Sequence, residues 1–413
     1  GGKAVADYLI REWREKQPFP LTVLSPRSLG LFGNNAPSSQ AAVAALLRSA
    51  DGCGDNQQNR RFAEAPRQRP IPKSLAAMSE LEYARFCREF ERAATNEILK
   101  RDPKRCVVLS NDISEGPDFR ALGERGYRIV TIFHVDVVEY FTRFYLRGVV
   151  RPEALARFHW FRLMPDVLRL VFEKQYECVR NSARIVVPSA PMKDVILRCY
   201  PWCPTEKIVV LPWGNIAAEA KSNSAVIDRP YSIAEDEIVI ITLSRLSPEK
   251  GIERLLTALP FLNTSGRKAR VFICGGAAYM NGRKYEKRLR RVAAKVTNVP
   301  IEFTGHVVAD QKAALLQRAD IFVSPSKHES YGLTIAEALS AGCRVVSHRH
   351  YGAEGAVVDC SDPRALARVL SGMIAEGRTP KTRSGTCTPS QAAGKLADLL
   401  AAISELPGEP SRH

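Results

Sequence analysis

The stretch ADIFVSPSKHESYGLTIAE, from Ala319 to Glu337, constrains this chain more than any other. An apolar run of Ile321, Phe322 and Val323 stops at Pro325, and a polar turn follows. Gly332 then opens a segment with the spacing and composition of a helix, carried by Leu333, Ile335, Ala336, Ala338 and Leu339. The pattern predicts strand, loop and helix in succession. Such a junction aims the first-turn N–H groups and the positive end of the helix dipole past the carboxyl end of the strand, a place suited to phosphate. Glu329 in the loop and Glu337 in the helix stand eight positions apart. One carboxylate can face a polyhydroxylated ligand while the other reaches a neighbouring ribose.

The chain has 413 residues, 45% hydrophobic and 25% charged, which gives a globular composition with room for two domains. No run approaches the ~18 to 20 apolar residues that a membrane-crossing helix needs. Ten cysteines are scattered without metal-ligand spacing. The close pair Cys199 and Cys203 has no second pair to match it, so these read as buried or incidental thiols suited to a reducing cytoplasm. A formal net charge of +16 calls for a polyanionic partner or an acidic surface. Nucleic acid is not the expected partner, because the basic residues are dispersed and no aromatic stacking pattern accompanies them.

The spacing Glu-x7-Glu within SPSKHESYGLTIAEALSAG resembles the signature of the GT-B glycosyltransferases of family 4, a retaining group that uses nucleotide-sugar donors. A second match is SRLSPEKG after the apolar run IVIITL (Ile238 to Leu243). There the resemblance implies that Arg245 and Lys250 neutralise the donor diphosphate, where charge develops as the nucleoside diphosphate departs. It implies further roles: Glu329 for donor-sugar hydroxyls, Glu337 for the ribose, and the backbone N–H groups of Gly332 and Leu333 for phosphate. The nucleotide base is expected along the backbone at His306 and Val307. Tyr351 to Gly355 occupies a place where the family often has a Gly-Gly turn. Family members also carry a glycine-rich loop near the amino terminus, whose counterpart here is Gly1-Gly2; a plain terminal remnant is the bland alternative. With no initiator methionine and no strand ahead of that loop, the sequence reads as starting inside a longer protein.

Along the first half, a helix-like stretch (Val5, Tyr8, Leu9, Ile10, Trp13) precedes the strand LTVL, and residues 49 to 74 read as a long surface loop. Leu81 to Leu99 has helical spacing, CVVL at Cys106 to Leu109 reads as a buried strand with Asn111-Asp112 at its end, and Arg128 to Phe133 reads as the next strand. His134 follows at its carboxyl end, where open α/β sheets place ligands. The resemblance puts His134 beside the reacting sugar, with Asp136 as a candidate to orient the imidazole; a histidine that merely caps the strand is the alternative. From Val137 to Arg180 the sequence is aromatic and basic and predicts two or three helices broken near Pro152 and Pro165. These aromatics either pack among helices or offer a surface to a membrane or lipid-linked acceptor. Arg184 to Pro188 predicts a strand, with Ser189 capping the next helix.

Repeated strand-loop-helix units predict an α/β chain of parallel sheets covered by helices on both faces. With the resemblance, this becomes two Rossmann-like domains facing across a cleft, the GT-B arrangement. The expected division is an acceptor domain at 1–216, a hinge at 217–236, a donor domain at 237–390, and a helix at 391–413 that crosses back to the first domain. The implied activity is metal-independent, retaining transfer of a hexose-type sugar from a nucleoside diphosphate to an acceptor hydroxyl. No cofactor is expected beyond the co-substrate, with UDP or GDP as its nucleotide, and no metal ligand set. The acceptor is lipid-linked, a glycan or a small molecule, in the cytoplasm or at the inner face of a membrane with peripheral contact. A sugar phosphorylase or sugar-phosphate synthase on the same fold is the runner-up, and a non-catalytic binding or scaffold protein is the reading of another class.

Overall fold

The computed structural model describes residues 2–26, 28–29, 31, 43–47, 80–144, 146, 149–157, 168–169, 172–215, 233–277, 282–381 and 388–405. Gly1, the 49–74 segment, Pro165 and residues 217–232 of the expected hinge lie outside them. Two compact units divide the chain, residues 1–212 with 390–413, and residues 213–389.

In the first unit, α1 (Gly2–Lys16) precedes β1 (Leu21–Leu24), β2 (Val43–Leu47), α2 (Glu80–Ile98) and β3 (Cys106–Ser110). Then come α3 (Phe119–Glu124), β4 (Arg128–Ile132), α4 (Val137–Phe144), α5 (Pro152–Ala156), α6 (Glu173–Asn181), β5 (Arg184–Val187), α7 (Ala190–Cys199) and β6 (Ile208–Val210). The strands lie in the order β1-β2-β3-β4-β5-β6. From β3 onward all neighbours are parallel. The parallel pattern stops at the other edge, where β2 runs antiparallel to both β1 and β3. Every residue of β3 is buried, as a strand covered on both faces requires.

Pro152 opens α5 at its first turn, where its missing N–H costs nothing, and so starts a helix instead of breaking one. Ser189 holds the cap position of α7, although its hydroxyl makes no capping bond there. In the aromatic segment, Phe141 meets Phe172 edge to face at 5.6 Å. This is packing between helices. The last helix, α13 (Pro389–Glu405), belongs to this unit. The Trp13 indole donates to Ala393 O at 3.2 Å, and the Arg128 guanidinium donates to Ile403 O and Ser404 O at 3.0 and 2.9 Å. That cation sits on the carbonyls at the helix end, which have no partner within the helix.

The second unit runs β7 (Ile238–Leu243), α8 (Ile252–Ala258), β8 (Ala269–Cys274), α9 (Gly282–Ala293), β9 (Ile301–Gly305) and α10 (Ala309–Arg318). It continues with β10 (Ile321–Ser324), α11 (Leu333–Ser340), β11 (Arg344–Ser347), β12 (Ala356–Val357) and α12 (Pro363–Glu376). All neighbours are parallel, in the order β12-β11-β10-β7-β8-β9. Two apolar layers cover the sheet. One gathers Ile240, Leu255, Leu289 and Leu370, the other Ile241, Phe272, Leu315 and Ile335. Because the strand order reverses between β7 and β10, the loops leaving those two strands diverge to opposite faces and open a crevice at their carboxyl ends.

The eight described cysteines are free thiols and all are buried, Cys199 and Cys203 among them. Among the described residues, no helix is long and apolar enough to cross a membrane.

Candidate active site

The crevice of the second unit lies between the loop after β7 and the loop after β10. The first loop contains Arg245, a single helical turn at Pro248–Lys250, and Gly251. Gly251 has φ +59°, and a Cβ there would stand 2.5 Å from Pro325 O, so the close approach of the two loops requires glycine. Several bonds join them. Lys327 N–H donates to Glu249 O at 2.9 Å, Arg254 donates to Pro325 O at 3.2 Å, and Lys327 pairs with Glu253 at 3.3 Å. Lys250 Nζ lies 2.6 Å from Glu329 Oε1, their side chains 14% and 19% exposed.

Ser326 Oγ donates to the same Glu329 oxygen at 3.0 Å, which leaves Oε2 outside both bonds. Burial pushes the Glu329 carboxyl up, but the Lys250 ammonium outweighs this, helped by His350 and the Ser326 hydroxyl, and the net direction is down. Glu329 is therefore an acceptor throughout the neutral range. Lys250 has three N–H donors and gives one to Glu329, so two remain for an anion.

Arg245 is more open, its side chain 47% exposed, and leans on Glu249 at 3.7 Å. Gly332, at φ +78°, caps α11, and Leu333 is the first residue of that helix. The turn is held from the other side by Gly352, whose N–H donates to Glu329 O at 3.0 Å. A Cβ on Gly352 would fall 2.2 Å from Tyr331 O, so this contact too needs bare backbone. Tyr331 Oη accepts Gly214 N–H at 2.8 Å, and the Tyr351 ring stands edge-on to His328 at 5.8 Å. Glu337 is buried on α11 and accepts from Lys312 Nζ at 2.8 Å. His306 follows Gly305, itself at φ +70°, and is exposed; Val307 is half-buried. Thus the structure joins Lys250 to Glu329, sets Glu337 on the next helix with Lys312, and leaves Arg245 extended at the edge.

In the first unit, His134 is half-buried after β4 and pairs through Nε2 with Asn111 Oδ1 at 3.1 Å. Burial drives its pKa down to about 3, so the imidazole is neutral. Asp136, expected as its orienting partner, has other business. Its Oδ1 accepts Glu139 N–H at 2.8 Å and caps α4, and its Oδ2 accepts from Gln175 at 3.2 Å. Burial lifts its carboxyl to about 6. Gly2 opens α1.

One group in the first unit escaped the sequence reading. Glu115 is buried in the loop after β3, takes a bond from Tyr83 Oη at 3.1 Å on Oε1, and has no partner on Oε2. Burial, followed by the neighbouring Asp112 carboxylate, pushes its pKa up. Nearby, Lys174 donates to Ser114 O and Gly116 O and pairs with Glu91 at 2.7 Å. Glu115 lies in the polar turn sequence NDISEGPD, where an acid reads as an ordinary solvated loop residue, so nothing in the spacing marks it as buried.

Residues 224–380 match the family model for glycosyl transferases group 1. A structure of Anabaena HepE in complex with UDP and glucose superposes with a TM-score of 0.52 at 17% identity, covering 81% of this chain and 82% of that one. The fold is that of the GT-B glycosyltransferases. Among sequence relatives of this GT-B chain is the GDP-mannose-dependent alpha-(1-6)-phosphatidylinositol dimannoside mannosyltransferase of Mycobacterium tuberculosis, 31% identical over 189 residues, 42% of this chain and 47% of that protein. Another is the lipopolysaccharide 1,2-N-acetylglucosaminetransferase of Salmonella typhimurium, 29% identical over 196 residues, 46% of this chain and 50% of that protein. The GT-B chain thus spans about half the length of these relatives. Lys250, Glu329, Gly332 and Glu337 all fall inside the matched family segment.

Proposed function

We propose that the protein is a metal-independent, retaining glycosyltransferase that moves a hexose-type sugar from a nucleoside diphosphate to an acceptor hydroxyl. The observation that carries this reading is the Lys250–Glu329 pair, 2.6 Å apart across the β7/β10 crevice. One side of the pair offers spare N–H donors for a diphosphate, and the other offers an ionised carboxylate for sugar hydroxyls. The match to group 1 glycosyl transferases over the same segment supports it.

In this reading Lys250 and Arg245 meet the diphosphate, with the N–H groups of Gly332 and Leu333 at the start of α11 adding the field of the helix end. Glu329 binds donor-sugar hydroxyls, Glu337 the ribose, and the backbone at His306 and Val307 the base. His134, kept neutral by desolvation, serves the reacting sugar as a hydrogen-bonding group. As the bond from the anomeric carbon to the leaving oxygen breaks, charge grows on the β-phosphate, and preorganised cations stabilise it there. That phosphate oxygen takes the acceptor hydroxyl's proton on the face where the new bond forms, so configuration is retained. The names of the two relatives, a phosphatidylinositol dimannoside mannosyltransferase and a lipopolysaccharide transferase, support a lipid-linked or glycan acceptor. UDP and GDP are the nucleotides we favour.

Thermal stabilisation by UDP, GDP, ADP and their sugars without added metal tests the donor site, because a ligand bound only to the native state raises its stability by mass action. A shift with one nucleotide that Lys250→Ala weakens is the expected result. No shift with any of them overturns the reading. Proton NMR of the product's anomeric coupling then decides retention.

A further inference from the structure

Glu337 holds its two carboxylate oxygens in unequal states. Oε1 accepts from Lys312 Nζ at 2.8 Å, whereas Oε2 is buried and has no hydrogen-bond partner. Among the described residues of the second unit, it is the only buried carboxylate oxygen in that condition. An acceptor left bare in the interior loses its hydration without a replacement bond, so native structures keep few of them and each calls for an explanation. Lys312 reaches Glu337 from α10, the helix that begins just after His306 and Val307, and its side chain is 22% exposed against 9% for the carboxylate. On its own helix Lys312 would read as an ordinary solvated cation.

We infer that Lys312 is a positioning residue: it fixes Glu337 by one oxygen so that the other is presented, unshared, to a ribose hydroxyl of the nucleotide. This rests on the reading of the second unit as a nucleoside diphosphate site. Two physical points favour it. A carboxylate out of water needs a compensating charge, and Lys312 supplies it from one side only. A lysine ammonium is a compact donor, so it engages Oε1 without the two-pronged grip by which an arginine would occupy both oxygens. Discrimination for the ribose hydroxyl then belongs to the Lys312–Glu337 pair, and Glu337 alone does not supply it.

The test is calorimetric binding of UDP, GDP or ADP, whichever the wild-type protein binds, against the matching 2′-deoxy and 3′-deoxy nucleotides, with wild type, Lys312→Met and Lys312→Gln. A hydroxyl donating to the carboxylate that Lys312 holds gives a preference of about 10- to 100-fold for the ribonucleotide over one of the deoxy forms. In Lys312→Met that preference is expected to shrink to about threefold or less through weaker ribonucleotide binding, with the deoxy affinity nearly unchanged. Lys312→Gln, which keeps a donor to Oε1, retains part of the preference and reads the same property if the methionine variant does not fold. Equal weakening of ribo and deoxy forms, or wild-type preference in both variants, overturns the inference while leaving the nucleotide site intact. Failure of the wild-type protein to bind any of the three diphosphates overturns both.

Discussion

Lys250 and Glu329, 79 positions apart in sequence, meet at 2.6 Å and tie the loop leaving β7 to the loop leaving β10. The strand order reverses between those strands, and the bond therefore spans the point where the sheet itself opens. Lys250→Ala is expected to lower sugar transfer by about 10²- to 10³-fold, the range seen when one preorganised donor to developing charge is removed. The melting temperature should change much less. Transfer at the wild-type rate by a folded variant removes Lys250 from the mechanism.

The same pair sets an acid limit for the second unit. The Glu329 pKa is depressed on folding, so its contribution is present above the ordinary carboxylate pKa and is lost as pH falls through the lower folded value. Urea unfolding of the second unit followed from pH 6 to pH 3 should therefore steepen less in Glu329→Gln than in wild type. Parallel curves for the two proteins would contradict this.

Gly352→Ala places a methyl group where Tyr331 O stands 2.2 Å away. The backbone of the 326–332 turn must move, at an expected loss of about 1–3 kcal/mol. Nucleotide affinity should fall with it, because the displaced turn carries Glu329 and Gly332. Calorimetry that gives wild-type stability and affinity would show that the turn yields freely.

His134 is neutral in the folded chain, with a pKa near 3 against about 6.5 when unfolded. Between those values the unfolded state binds more protons. Stability falls on acidification through that window, by up to ~1.4 kcal/mol per pH unit. Comparison of His134→Gln with wild type at pH 7 and pH 4.5 should show the variant losing less. An equal loss in both would mean that the imidazole charges in place.

Glu115 works in the opposite sense. Its pKa is raised on folding, so its contribution is complete below the unfolded carboxylate pKa and is lost as pH rises toward the folded value. Glu115→Gln should flatten the alkaline side of the stability profile and make the variant more stable relative to wild type at pH 8 than at pH 5. A relative stability independent of pH would place the ionised acid in the native state.

Much of the second unit was legible in the sequence because parallel strands buried on both faces are continuous apolar runs, as in IVIITL, and their loops carry glycine and proline. The segment holding Glu329, Gly332 and Glu337 was legible for the same reason, since the strand-loop-helix order is local. What the sequence could not supply was partnership. Nothing in the spacing joins Lys312 to Glu337, or Asp320 to Arg378 at 3.0 Å, because those contacts depend on how distant segments return to the sheet. β2 was missed as well. Its sequence, VAALL, has no period of two and is rich in residues that favour helix, so pairing with β1 and β3 overrides its local preference.

The attachment of α13 to the first unit, through Trp13 and Arg128, has a bearing on the order in which the protein can be made. A ribosome delivers the whole of the second unit before it delivers residues 390–405. The sheet of the second unit can close on its own strands while still tethered to the ribosome, whereas the first unit waits for its last helix. Although it begins first, it is finished second.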